Sequence, residues 1–467
     1  MTAAGWPAAP TASLGVLVLV GCVLVLSLPY WLPRTVVALR VRIFARVNGE
    51  EGIAAPGREI PAEEFKQVYG HPAAAGRSRG AALSDLFWYW LSPGPEVHQE
   101  HLEPGPRYDD VARTTRRILA GPSRAEWTEL VGRCTRHVLD EHEPATHQVR
   151  LRDLMMPVWA EVYYEVVFRA PCPREVRDLI TGNAEDVVGA LKCTRLRHLD
   201  RRARLTDHLR ERLAHDPPPV PLPALLTEQE RAYYLQGTFF NTAVVQMSEA
   251  MAHLLLALAT HPEVQRRLTT TADPAYLDHV IDETLQHYPL FGVAHRITTD
   301  EIPRAGRPAI PPGSVLLFNY PEYQRSDTAQ GRFDPDRWSS KETRPTASIP
   351  FGVTANRPCP ARGFAVLTMR VAAEEVLRRF RLASTAEHTR SLPSRGPCLL
   401  VPREDGGAHR ARLAALRLAD HWANVPRSLT QLVLGSYMVW DARRQGLCRN
   451  HFAGSPGGPS PSVVGSR

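Results

Sequence analysis

Apolar and polar positions divide the chain into distinct stretches. From Ala12 to Leu32 the run ASLGVLVLVGCVLVLSLPYWL holds 21 residues without a charge. As a helix it extends about 30 Å, the thickness of bilayer hydrocarbon. Tyr30 and Trp31 close the run, and Arg34, Arg40, Arg42 and Arg46 follow. Aromatic anchors with a basic flank predict a single membrane crossing with the body of the chain on the cytoplasmic side. From Asp109 to about Thr270 apolar residues recur at helical spacing, as in DDVARTTRRILAG and AEWTELVGRCTRHVLDE. The segment TEQERAYYLQGTFFNTAVVQMSEAMAHLLLALATH is apolar around most of its circumference. That pattern predicts a helix buried through the middle of a domain. After the helical AYLDHVIDETLQHY, HRITTDEI and RPAIPPGSVLLFNY predict strands and a turn, and FDPDRW predicts a proline-rich loop. Beyond Arg403, AHRARLAALRLADHWANV and LTQLVLGSYMVWDARR predict two helical stretches, followed by a Gly/Pro/Ser tail of disordered composition.

The expected class is therefore mainly α with small β-sheets, preceded by an N-terminal transmembrane helix. We divide the chain into an anchor at 12–32, a juxtamembrane linker at 33–59, one main domain at 60–403, and a C-terminal helical extension with disordered tail at 404–467. No repeat at a solenoid period and no polar linker splits the body.

Composition narrows the function classes. With 43% hydrophobic and 22% charged residues the body is globular. The net charge of +7 comes from arginine, since lysine occurs only at Lys66, Lys192 and Lys341. The arginines are scattered through helical segments without interleaved aromatics, which argues against nucleic acid as a partner. A basic face suits an acidic protein partner. Seven cysteines, widely spaced and without C-x-x-C, suggest neither a disulfide framework nor a zinc site. The histidines show no metal-ligand spacing, and no G-x-G-x-x-G opens a helix after a strand.

One cysteine stands apart. In NRPCPARGFA, Pro358 and Pro360 flank Cys359 and stiffen the loop, because each fixes φ near −65° and lacks an N–H. The helical segment that follows would turn its free N–H groups toward the sulfur and favour thiolate. Arg357 and Arg362 add positive charge.

Taken in order, these segments resemble the cytochromes P-450, the haem-thiolate monooxygenases, over residues 60 to 403. PFGVTANRPCPARGFA is similar to the family's F-x-x-G-x-R-x-C-x-G-x-x-x-A, FDPDRW to its meander, DETLQHYP to its E-x-x-R-x-x-P helix, and HPEVQRRL to the helix before it. The resemblance implies haem b, iron protoporphyrin IX, with Cys359 as axial metal ligand and Phe351 beside the cofactor. It implies propionate contacts from Arg357, Arg296 and Arg116, and a core network of Glu283, Gln286 and Arg337. It aligns TFFNT with the oxygen-activating motif, giving catalytic roles to Thr242 and Asn241. It also implies a lipophilic small-molecule substrate and electrons from a separate ferredoxin or flavoprotein reductase.

Several positions depart from the family pattern. Phe351 precedes Cys359 by eight residues instead of seven, and Ala355 and Ala361 replace glycines, so a remodelled loop is expected. Gln286 replaces an arginine; its amide is expected to donate to Glu283, leaving Arg337 as the only charged partner and weakening haem retention. Asn241 replaces an acid and Phe239 a glycine, and asparagine does not relay a proton as an acid. Ala112 stands where a histidine is usual. The leading expectation is hydroxylation or epoxidation with O2. The alternatives are a haem-thiolate enzyme driven by peroxide or catalysing rearrangement or coupling, and a non-catalytic membrane-bound interaction protein.

Overall fold

The computed structural model describes residues 11–48, 52–79, 81–91, 101–142, 145–270, 273–326 and 332–453. The Gly/Pro/Ser tail from residue 454 lies outside the described residues. Helices dominate, and two three-stranded sheets sit at their edge, in line with the mainly α expectation. In the first sheet β1 (Ile53–Ala55) pairs parallel with β4 (Val315–Asn319), which pairs antiparallel with β3 (Val293–Ile297). In the second, β2 (His147–Arg150) and β5 (Phe380–Ala383) flank β6 (Pro397–Pro402), all antiparallel.

The central segment forms a helix in three parts: Glu228–Gly237, a π-helical turn over Thr238–Ala243, and Val244–Thr260. Thr227 and Glu230 start it with a reciprocal capping box that satisfies two otherwise orphaned N–H groups. Its last part is buried on nearly every face, as the unbroken apolar circumference requires. Leu151–Phe168 lies against it, with Tyr163 and Phe239 ring centroids 6.4 Å apart. The helix Arg124–Asp140 opens with a second capping box, Ser123 with Glu126, and packs on Ala365–Arg379, the helix after Cys359. Trp127 stacks face to face on Phe364 at 4.6 Å and pins the start of that helix.

Both ends of the chain differ from the simplest reading of the pattern. The N-terminal helix runs Thr11–Asn48 without a break, and β1 follows within the sheet, so the span read as a linker is largely structured. The two C-terminal stretches are one helix, Arg410–Gln445, with Pro426 inside it, followed by Leu447–Phe452. This extension docks on Ala82–Leu91. The Tyr89 hydroxyl donates to Asp441 at 2.9 Å, and buried Asp85 accepts the backbone N–H groups of Cys448 and Arg449 at 2.9 and 3.1 Å. Burial, ahead of the lowering effect of nearby Arg197, pushes the Tyr89 phenol up to about 12, so the hydroxyl keeps its donor proton.

Candidate haem-thiolate site

The loop carrying Cys359 is held by its neighbours more than by its own hydrogen bonds. The Cys359 N–H donates to the Phe351 carbonyl at 3.2 Å. The buried Asn356 amide nitrogen lies 3.1, 3.0 and 3.0 Å from the carbonyls of Tyr69, His71 and Ala74, which ties the loop to the two short helices Phe65–Gly70 and Pro72–Ala75. Arg357 adopts the left-handed region at φ 49. Its Nε donates to Ala75 O at 2.8 Å and its Nη2 to Leu102 O at 2.6 Å, while the guanidinium sits 4.0 Å above the Tyr108 ring. These contacts hold a conformation that costs a non-glycine residue about 1 kcal/mol or more. Gly352, at φ 72, supplies the other left-handed position. Ala355 and Ala361, standing where glycines are usual, have no positive φ; the loop is remodelled by moving its left-handed residues to 352 and 357.

Cys359 opens into a cavity of about 1420 Å³, its open mouth included, between this loop, the π-helical turn, β3 and Tyr163. Its walls include three arginines, Arg77, Arg296 and Arg357, and no aspartate or glutamate among the described residues. Arg296 is buried on β3, with Nη2 donating to the Tyr69 hydroxyl at 2.9 Å; that hydroxyl lies 2.7 Å from Tyr320 Oη. Phe351 lines the same wall. Tyr163 is fully buried; burial first, and the Cys359 sulfur second, push its phenol well above the usual range.

The π-helical turn decides which side chains of TFFNT reach the cavity. Thr238, Phe239, Thr242, Ala243 and Gln246 line it. Asn241 turns away into a small void behind the helix, beside Arg202 and Gln236, and its Oδ1 is buried without a protein hydrogen-bond partner. The structure thus separates Asn241 from Thr242 and from Cys359, and does not present the pair on one surface. The inserted residue of a π turn rotates the side chains that follow it, a shift no linear motif displays.

Two further expectations change. Arg116 is exposed and does not line the cavity; the neighbouring Thr115 does, bonded to the Tyr234 hydroxyl at 2.8 Å. One residue along a helix is a 100° rotation, which is enough to turn a side chain from wall to solvent. Arg77 lines the cavity instead, from an irregular segment with no motif around it. Gln286 does not bond Glu283: its Nε2 donates to Gln324 O at 3.0 Å. Glu283 accepts from Asp334 N–H and Trp338 Nε1 at 2.9 Å each, with Arg337 Nε 3.2 Å away. Burial raises the Glu283 carboxyl above its ordinary range, and the Asp334, Trp338 and Arg337 contacts oppose the shift.

The donor set fits an iron porphyrin. One thiol faces the interior of a large, mostly apolar cavity, and three guanidiniums on its walls match two carboxylates, with no acidic side chain to compete.

Known proteins share this fold, and part of the chain resembles a family in sequence. The family model for cytochrome P450 matches residues 226–407. Cytochrome P450 3A12 of Canis lupus familiaris is 31% identical over 155 residues, covering 28% of this chain and 30% of the relative. Putative cytochrome P450 135B1 of Mycobacterium tuberculosis is 33% identical over 156 residues, covering 28% and 31%. These matches span about a third of each relative's length. Among solved structures, cytochrome P450SP alpha in complex with (R)-ibuprophen has a TM-score of 0.59 at 15% identity, covering 73% of this chain and 88% of that one. Ligand-free cytochrome P450 OleT gives 0.60 at 14%, covering 74% and 88%.

Residues 226–407 are thus similar to the cytochrome P450 family, and the chain shares the fold of solved cytochromes P450. Proteins of that family bind protoporphyrin IX haem iron.

Proposed function

We propose that this chain is a membrane-anchored haem-thiolate monooxygenase that hydroxylates or epoxidises a lipophilic small molecule with O2. The observation that carries this is the single thiol of Cys359 in a cavity walled by arginines and apolar side chains. Bound haem would supply the redox and oxygen chemistry. Cys359 Sγ would hold its iron, and Arg357, Arg296 and Arg77 would hold its propionates. The rigid loop, fastened through Asn356, keeps the sulfur aimed. Phe239, Met247, Leu290 and Phe291 line the cavity, exclude water and receive an apolar substrate. The Thr242 hydroxyl stands on the cavity wall, where it can hold a proton for transfer.

Electrons come from a separate ferredoxin or flavoprotein reductase, whose acidic face meets the arginine-rich surface. The N-terminal helix faces outward over Gly15–Ile43, and its uncharged run up to Leu32 is long enough to cross a bilayer. It anchors the body at the cytoplasmic surface, where lipophilic substrates collect. The test is the difference spectrum of the reduced protein with and without carbon monoxide. A strongly red-shifted Soret band supports thiolate ligation; its loss in Cys359→Ser assigns the ligand, and a wild-type protein without that band refutes the reading.

A second reading has a specific observation behind it. Among the described residues the cavity wall carries no carboxylate and Asn241 faces away, so these side chains lack an acid to relay protons. A peroxide-driven reaction, a rearrangement or a coupling needs no such relay. Product formed with peroxide and without NAD(P)H favours it.

A further inference from the structure

The C-terminal helix Arg410–Gln445 is amphipathic in the reverse sense to an ordinary surface helix. Leu416, Asp420, Ser428, Gly435, Met438 and Ala442 are buried toward the body. On the opposite side Leu418, Leu429, Val433, Tyr437 and Trp440 stand 61%, 45%, 66%, 46% and 58% exposed. Trp422 and Val425, half-buried, bridge the gap between the first two. At 100° per residue these seven side chains fall within an arc of roughly 120°. Arg417, Asp420 and Arg427, the only charged residues between Leu413 and Trp440, lie off it. A soluble surface helix turns its charges outward and its apolar stripe inward. Here a charge-free stripe faces out, larger than the scattered apolar residues of an ordinary surface.

We propose that this outward face, Leu418 to Trp440, seats in the cytoplasmic headgroup layer of a lipid bilayer. The proposal rests on the anchor reading given above and adds a second, separate point of attachment. Lipid is favoured over a second copy of the chain because the stripe continues onto the N-terminal helix. The Tyr30 ring meets His421 edge-on at 4.6 Å, and Gly435 lies against Arg40. Beside them Val37, Leu39 and Val41 are 53%, 42% and 63% exposed. Pro29 and Pro33 flank Tyr30 inside the N-terminal helix, and proline is where a helix changes direction. The span can therefore cross the bilayer while the paired helices lie along its surface. Trp and Tyr are the side chains that settle at the headgroup level. Arg410 and Arg412 at one end, and Arg443 and Arg444 at the other, suit anionic lipid.

The test places a diazirine amino acid at Val433, Val20 or Leu416 of the full chain, reconstituted in vesicles of phosphatidylcholine and phosphatidylglycerol. After irradiation, mass spectrometry reads what each site captured. Lipid adducts at Val433 and Val20, with none at inward-facing Leu416, are the expected result. Lipid at Val20 but a second copy of the chain, or another protein, at Val433 overturns the proposal and leaves the anchor standing. Lipid at Val433 but not Val20 upholds the seated helix and removes the anchor. Lipid at neither site overturns both.

Discussion

Gln286 and Gln324, 38 residues apart, hold each other by their side-chain amides. Gln286 Nε2 donates to Gln324 O at 3.0 Å, and Gln324 Nε2 donates to Gln286 O at 2.8 Å. The pair joins the helix Pro274–His287 to the short helix Tyr320–Arg325. It takes the place of a second ion pair to Glu283 and avoids burying another charge. Gln324→Ala removes the donor to the buried Leu285 and Gln286 carbonyls, while Gln324 O still accepts from Gln286, and should cost about 1–3 kcal/mol. Gln286→Arg should also lower the melting temperature, because Glu283 is already partnered. A melting temperature raised in Gln286→Arg would contradict this.

Asn356 is the tie between the cysteine loop and the N-terminal segment. Asn356→Ala removes the amide donor that the Tyr69, His71 and Ala74 carbonyls share and should destabilise by about 2–3 kcal/mol. Haem dissociation, followed by transfer to apomyoglobin, should speed up in the same variant. An unchanged transfer rate would show that Cys359 is aimed without this tie.

Asn241 and Thr242 should separate in their effects. Under the oxygen-dependent reading Thr242→Val should lower the rate of product formation by about 100-fold, the low end for a positioned proton transfer. Asn241→Leu, behind the helix, should shift stability and leave the ratio of product to released peroxide unchanged. Equal loss of that ratio in both variants would count against the arrangement described.

Asp282 supplies a pH signature. Burial, with Asp278 as a lesser cause, raises its carboxyl from 3.8 to about 6. Between those values the folded state holds a proton that the unfolded state releases. Stability from this group is therefore present below pH 4 and is lost as pH rises through about 6. Asp282→Asn should melt higher than the native chain at pH 7, by on the order of 2 kcal/mol, and match it near pH 4. Parallel melting curves at both pH values would refute the shift.

The apolar span, the helices from residue 106 to 191, the buried central helix and the cysteine loop could all be read from local patterns. The family resemblance also grouped Cys359, Arg296, Arg357 and Thr242, and in the structure all four line one cavity. Arg77 could not be found this way, because it reaches the cavity through the fold and not through a motif. Arg116 was misplaced by a single helical position, and Asn241 by a π-helical turn that adds a residue without leaving a sequence mark. The Gln286 partner lies on another element, so only tertiary structure shows it. Pro426 suggested two helices, but the helix passes through it as one.

The contact between Asp85 and the backbone of Cys448 and Arg449 reaches as far as the cavity. Asp85 belongs to the helix whose Phe87 stacks on His295, the neighbour of Arg296 on β3. The strand that carries a cavity-lining arginine therefore leans on a helix that the C-terminal segment holds from behind. The extension and the cavity are in this way mechanically one assembly, joined through the buried Asp85 carboxylate.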